Sequence, residues 1–299
     1  MTVCIGALCK MPSFGQGIVL CCDTRSVVPG STSSDFTWKL EILGKRTSAL
    51  LSGQLGAARE LAMMYREYLS QRDSSVPLTE ENILDHLREP PRRFKSKLVE
   101  QYFRLKWAVS YRDFLDGKLN NLPESELLRI SSDVNNIRFP DETCMLIASL
   151  ATGEPGLFTV FPDGQVFSEE NFAVVGSGYP IARAALCQRN YHQFCELSYA
   201  LYAVYEAKKL SEGDPNVGPQ TAMWVDYLDQ SGRLIHQSID GEGLEFLESQ
   251  FEEFGPRLAY GVGMPPSLES SLASDIVEVD EQKNLPEAAA SGGSESPQK

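Results

Sequence analysis

Asp23 and Lys39 stand sixteen residues apart, behind an opening Met1-Thr2-Val3-Cys4-Ile5-Gly6. Loss of the initiator methionine would leave Thr2 first in the chain, with a free α-amino group beside its own hydroxyl. A hydroxyl is a weak nucleophile until a base takes its proton, and an N-terminal amine is such a base. With a pKa of about 7.7–8.0, that amine keeps a neutral fraction near physiological pH. One residue then supplies both nucleophile and base. A lysine close by would favour the alkoxide through its positive charge, and an aspartate beside the lysine would hold it charged and aimed.

The flanking sequence reads as the strands that would carry these groups. Val3–Cys9 and Gly17–Cys22 are short apolar runs rich in β-branched residues, split by Pro12-Ser13-Phe14-Gly15-Gln16-Gly17, and predict an opening strand pair. Phe36–Leu43 and Thr47–Ser52 repeat the pattern around Gly44-Lys45. Over Leu55–Gln71 the apolar positions Ala58, Leu61, Ala62, Tyr65, Tyr68 and Leu69 fall on one helical face. Thr79-Glu80-Glu81-Asn82 opens another helix with an acidic first turn. From Pro90 to about Asn136 the chain is basic and helical, which we read as an insertion over about 88–136. Four strands follow: Cys144–Ala151, Leu157–Pro162, Gln165–Ser168 and Phe172–Val175, the middle two joined by an Asp163-Gly164 turn. Helices are expected over Ile181–Arg189 and Gln193–Leu210, the latter with Phe194, Leu197, Leu201, Val204 and Lys208 along one stripe. Thr221–Leu228 and Leu234–Ser238 close the order as a hairpin over Asp229-Gln230-Ser231-Gly232. Runs of strands and runs of helices, rather than strict alternation, predict an α+β layered domain.

Bulk composition excludes several classes. The 299 residues are 42% hydrophobic, enough for a substantial core, and no apolar run approaches the length of a membrane span. The start lacks a basic region followed by an apolar stretch and a cleavage site, so no secretory signal is expected, and a cytoplasmic location fits. Seven cysteines without a CxxC pair read as free thiols packed as small hydrophobes. His86, His192 and His236 have no zinc-site partner at the usual spacing, and no cofactor or metal is called for. A net charge of −14 argues against nucleic acid as the main partner. Five glutamates and no base lie within 241–256, and 265–299 reads as a disordered acidic tail, because Ala, Ser and Gly there bury too little surface to fold. Arg88 to Lys118, by contrast, holds nine bases against four acids. That stretch reads as a solvated helical face or as an inter-subunit contact facing acids near Glu242–Glu253 of a neighbour.

Several motifs in register resemble the proteasome β-subunit group of N-terminal-nucleophile (Ntn) hydrolases. Thr2-Val3-Cys4-Ile5-Gly6 is similar to the family's mature start, and Gly17-Ile18-Val19-Leu20-Cys21-Cys22-Asp23-Thr24-Arg25 resembles its aspartate-bearing strand. The step from Asp23 to Lys39 matches the family's aspartate-to-lysine step, and fourteen residues further Gly53 falls where the family has its oxyanion glycine. Val174-Val175-Gly176-Ser177-Gly178 resembles the family's Gly-Ser-Gly element. The resemblance covers roughly 2–240 and implies a four-layer αββα sandwich, as a domain over 2–255. It departs from the family pattern at Gly213–Gln220, where a Ser-Gly-Gly after an aspartate would stand; Asp214 is the nearest match to that aspartate.

What the resemblance implies is a threonine-type endopeptidase acting on peptide or protein substrates. Thr2 would attack, Lys39 and Asp23 would activate it, Ser177 would hold the amine and a bridging water, and the Gly53 N–H would donate to the oxyanion. Arg25, Asp214 and Gly178 would support them. The family also implies a homo-oligomeric ring, fed in some members by a separate ATP-dependent unfoldase; no Walker-type loop is present in this chain. With no segment before Met1, Thr2 would be exposed by a methionine aminopeptidase. Singly, Asp23 would be a turn or cap residue, Lys39 an edge charge, Gly53 a turn former and Ser177 an N-cap. Two other readings stay open: a non-catalytic structural subunit, and an Ntn acyl transferase or ligase.

Overall fold

A computed structural model describes residues 2–12, 15–25, 37–72 and 78–256; the acidic tail expected over 265–299 lies outside the described residues. The strands are β1 (Val3–Met11), β2 (Gly15–Asp23), β3 (Leu40–Gly44), β4 (Thr47–Ser52), β5 (Cys144–Ser149), β6 (Gly156–Val160), β7 (Val166–Glu169), β8 (Phe172–Gly176), β9 (Thr221–Leu228) and β10 (Leu234–Ser238). The helices are α1 (Leu55–Arg72), α2 (Glu80–Trp107), α3 (Tyr111–Leu115), α4 (Glu124–Asn135), α5 (Tyr179–Gln188), α6 (Leu197–Ser211) and α7 (Gly241–Phe254). The class is α+β, with two antiparallel sheets ordered β10-β9-β2-β1-β8 and β3-β4-β5-β6-β7.

Strand β1 explains how the sheets are stacked. Its alternate residues Val3, Ile5, Ala7, Cys9 and Met11 join a core with α5, α6 and α7, while Cys4 and Leu8 join a second core with Leu50, Leu146 and Leu157 of the other sheet. Side chains of a strand alternate between faces, so a strand buried on both faces must be apolar throughout, and β1 nearly is. At Gly6 the sheets come so close that an added Cβ would lie 2.8 Å from Leu146 Cδ2. A third core packs Ala49, Leu51, Met145 and Ile147 against α1 and the first half of α2. The second half of α2 shares a separate small core with α3 and α4, built on Val99, Phe103 and Ile130.

The helix boundaries depart from the sequence reading in three places. One continuous α2 runs from Glu80 to Trp107 through Pro90 and Pro91, where a break is the usual expectation. Both prolines are buried; the packing of that face offsets the missing N–H donors, and Thr79 with Asn82 closes a capping box at its start. The start of α6 is Leu197 rather than Gln193, leaving Phe194 64% exposed ahead of it. The acidic run of 241–256 is itself a helix, α7: Leu244, Leu247 and Phe251 dock it on the α6 side and Asp240 caps it through the Gly243 N–H at 2.8 Å. On α2 most cations are paired locally: Arg88 with Asp85, Arg92 and Arg93 with Glu89, and Arg104 with Glu100. Among the described residues no helix is long and apolar enough to cross a membrane.

Candidate active site

Strand pairing brings the two ends of the first hairpin together. Cys4 lies opposite Cys22, so Asp23, the last residue of β2, emerges beside Val3 and accepts its backbone N–H at 2.8 Å. On the far side β2 pairs with β9, setting Asp23 opposite Thr221. Lys39 enters just before β3, its backbone carbonyl held by the Leu51 N–H at 2.9 Å. Three separate stretches of chain therefore converge at one end of the sheet.

The convergence is close. The Thr2 hydroxyl donates to Asp23 Oδ1 and accepts from Lys39 Nζ. Lys39 Nζ also donates to Asp23 Oδ1 at 3.0 Å, and both side chains are buried, at 5% and 0% exposure. Two backbone amides, of Arg25 at 3.0 Å and Gly218 at 3.1 Å, donate to Asp23 Oδ2. Asp23 thus accepts from five donors, so the hydrogen-bonding capacity of this buried side chain is well satisfied. It holds the Lys39 amine against Thr2 Oγ in buried surroundings, where charge is poorly screened.

The backbone of Thr2 is fixed as tightly as its side chain. Its carbonyl accepts from the Gly178 N–H at 3.2 Å, and the Ser177 hydroxyl lies 3.4 Å away. Gly176 has φ +100°, and a Cβ there would stand 2.1 Å from the Thr2 carbonyl oxygen, so no other residue fits without moving Thr2. Asp214 lies close enough to the Ser177 hydroxyl to be influenced by it. Burial pushes its carboxyl up, but the Asn216 backbone and side-chain donors, each at 2.9 Å, together with Ser177 hold it below the usual carboxylate range. Gly53 directly follows β4 with φ +84°, and its neighbour Ser52 reaches to 3.0 Å of where a Gly176 Cβ would stand.

Of the residues singled out from sequence, Thr2, Asp23 and Lys39 touch one another directly, and Ser177 and Gly178 meet the Thr2 carbonyl. Arg25 contributes through its backbone amide, while its guanidinium donates to the Pro215 carbonyl at 3.3 Å and ties down the 213–220 loop. Sequence reasoning missed the Val3 and Gly218 amides and the steric demand at Gly176. Backbone donors leave almost no signature in side-chain identity; only Gly218-Pro219, a turn-forming pair, marked that loop as special. Cys4 is beside Thr2, and burial pushes its thiol up to about 12, so it remains a thiol and does not compete as a nucleophile. Among the described residues no group of three or more His, Cys, Asp or Glu side chains gathers as a metal ligand set. Comparison of the chain with models of protein families and with curated proteins finds no match.

Proposed function

We propose that this chain is a threonine-type amide hydrolase, working on peptide bonds, with Thr2 as its N-terminal nucleophile. The observation that carries the reading is the Lys39 ammonium, which donates at once to Thr2 Oγ and to the buried Asp23 carboxylate. A lysine held in that position lowers the cost of forming the alkoxide, which is what a threonine hydroxyl needs before it can attack a carbonyl. While Met1 is attached, the Thr2 nitrogen is a peptide amide without basicity. Once Thr2 is freed at the N-terminus, its amine takes the hydroxyl proton, directly or through one water, as Oγ bonds to the substrate carbonyl carbon. The proton then passes to the leaving amine, and water hydrolyses the resulting ester. Gly53 is the candidate oxyanion donor, and Ser177 with Asp214 lies on the side where the freed amine would be held.

The helix–sheet–sheet–helix stacking supports the four-layer αββα sandwich of Ntn hydrolases as the finer description of the fold. The same reading carries a peptide or protein substrate, a cytoplasmic setting, assembly into a homo-oligomeric ring and supply by a separate unfoldase. The test is direct. Protein whose intact mass shows the loss of Met1 is treated with a peptide electrophile and mapped by mass spectrometry. One equivalent should attach at Thr2, Thr2→Ser should still react, and Thr2→Ala should not. Equal turnover by Thr2→Ala would refute the proposal.

A further inference from the structure

Lys208 is the most deeply buried cation of the described chain, and nothing in the chemistry above uses it. It lies in the last turns of α6 with no exposed surface, and α6 packs on the back of β1 and β2. Burying an ammonium is costly unless its donors are satisfied. Two of its three are: Glu212 Oε1 accepts at 2.6 Å and the Pro219 carbonyl at 2.7 Å. Burial pushes its pKa down, and the Glu212 carboxylate only partly opposes that.

The second acceptor gives this lysine its meaning. Pro219 follows Gly218, whose N–H donates to Asp23 Oδ2 at 3.1 Å. A two-residue strap is thereby pinned at both ends: its amide to the carboxylate that holds Lys39, its carbonyl to the Lys208 ammonium. The strap is stiff, because proline fixes its own φ and restricts the residue before it. It is also tightly seated, since a Cβ on Gly218 would stand 2.6 Å from Arg25 Cβ. The same end of α6 reaches the other strap of the site: Ser211 lies 3.4 Å from the Gly178 carbonyl, and the Gly178 N–H holds the Thr2 carbonyl.

From this geometry we infer that Lys208 is a positioning residue for the Thr2 site, acting through the Gly218-Pro219 strap on Asp23. The inference rests on the reading of Thr2 as nucleophile, but its test does not depend on that reading alone. In the full chain with Thr2 freed, Lys208→Met keeps the aliphatic stem and removes the ammonium. Native-state amide exchange in the peptide covering 213–220 should then rise, while exchange in β4 and β5 stays as in the parent. Acylation of Thr2 by a peptide electrophile should slow roughly ten-fold, the effect of one lost hydrogen bond to a charged group. The substrate KM should hold, and Lys208→Arg should restore part of the rate. If Lys208→Met gives no folded protein, Glu212→Ala is read instead; it keeps the ammonium but removes the carboxylate that aims it, and a smaller rise over 213–220 is expected. Unchanged exchange over 213–220 would overturn the inference, as would a uniform rise across all strands. A parent protein that never acylates would sink the proposed function and still leave the exchange result to decide on Lys208.

Discussion

Replacing Lys39 with methionine isolates the charge at the centre of the site. The stem keeps most of its volume, but the ammonium that donates to Thr2 Oγ and to Asp23 is gone. Two effects follow. For a pair of unit charges about 4 Å apart in partly screened protein, the interaction is about 4 kcal/mol, which sets the alkoxide stabilisation lost. Through the rate equation that corresponds to roughly a thousand-fold slower acylation of Thr2. The second effect is on stability, because Asp23 is left as a buried charge without its counterion. Removing one partner of a buried pair costs about 3–5 kcal/mol. The lower end applies here, since Thr2, Val3, Arg25 and Gly218 still donate to the carboxylate. At about 2–4 °C per kcal/mol for a domain of this size, the melting temperature should fall by roughly 6–12 °C. The assay is stopped-flow acylation with a peptide electrophile, paired with calorimetry on the same samples. Adding Asp23→Asn to Lys39→Met should recover part of the lost stability but none of the rate, because the uncompensated charge goes while the alkoxide stays unsupported. A Lys39→Met protein that acylates within three-fold of the parent would refute the electrostatic argument.

Two further outcomes are expected. Burial pushes the Cys4 and Cys9 thiols up to about 12 and Cys22 well above its ordinary value, whereas Cys187 is exposed. Native protein at pH 8 should therefore take up iodoacetamide first at Cys187, and rapid alkylation of Cys4 would show that the end of the sheet is open. Asp214 is held below the usual carboxylate range in the fold, so it contributes stability above its unfolded value of about 3.9. That contribution disappears as pH falls through the lower folded value. Asp214→Asn should accordingly lower the melting temperature at pH 7 and flatten its decline between about pH 5 and pH 2, measured by calorimetry across that range.

How far the sequence disclosed the site depends on what kind of atom does the work. Thr2, Asp23 and Lys39 meet through their side chains, and it was the register of several motifs with a resembled family, more than the spacing alone, that singled them out. The central strands β1, β2, β4 and β5 also showed themselves, because strands buried on both faces must be apolar along their length. The 213–220 loop was opaque: its contribution is a peptide N–H, which every residue except proline owns. Lys208 stood in plain view on the apolar stripe of α6, where a lysine is ordinarily the residue that reaches out to solvent. The Glu212 carboxylate and the carbonyl of a residue eleven positions later explain why this one does not. Helix α7 was hidden by its charge; five glutamates masked three apolar residues at helical spacing. In α2, Pro90 and Pro91 signalled a break that packing overrides.

The donors around Asp23 come from residues 2, 3, 25, 39 and 218, so the site cannot close until almost the whole described chain has been made. Thr2 leaves the ribosome among the first residues, and the last donor to Asp23, Gly218, leaves some two hundred residues later. At about 5–20 residues per second, roughly 10–40 seconds separate them. Throughout that interval the newborn chain carries its threonine beside a lysine that nothing yet aims. Under the proposed chemistry, a nascent chain of this design is silent by construction, because the Gly218 anchor of Asp23 is not in place before β9 has paired with β2.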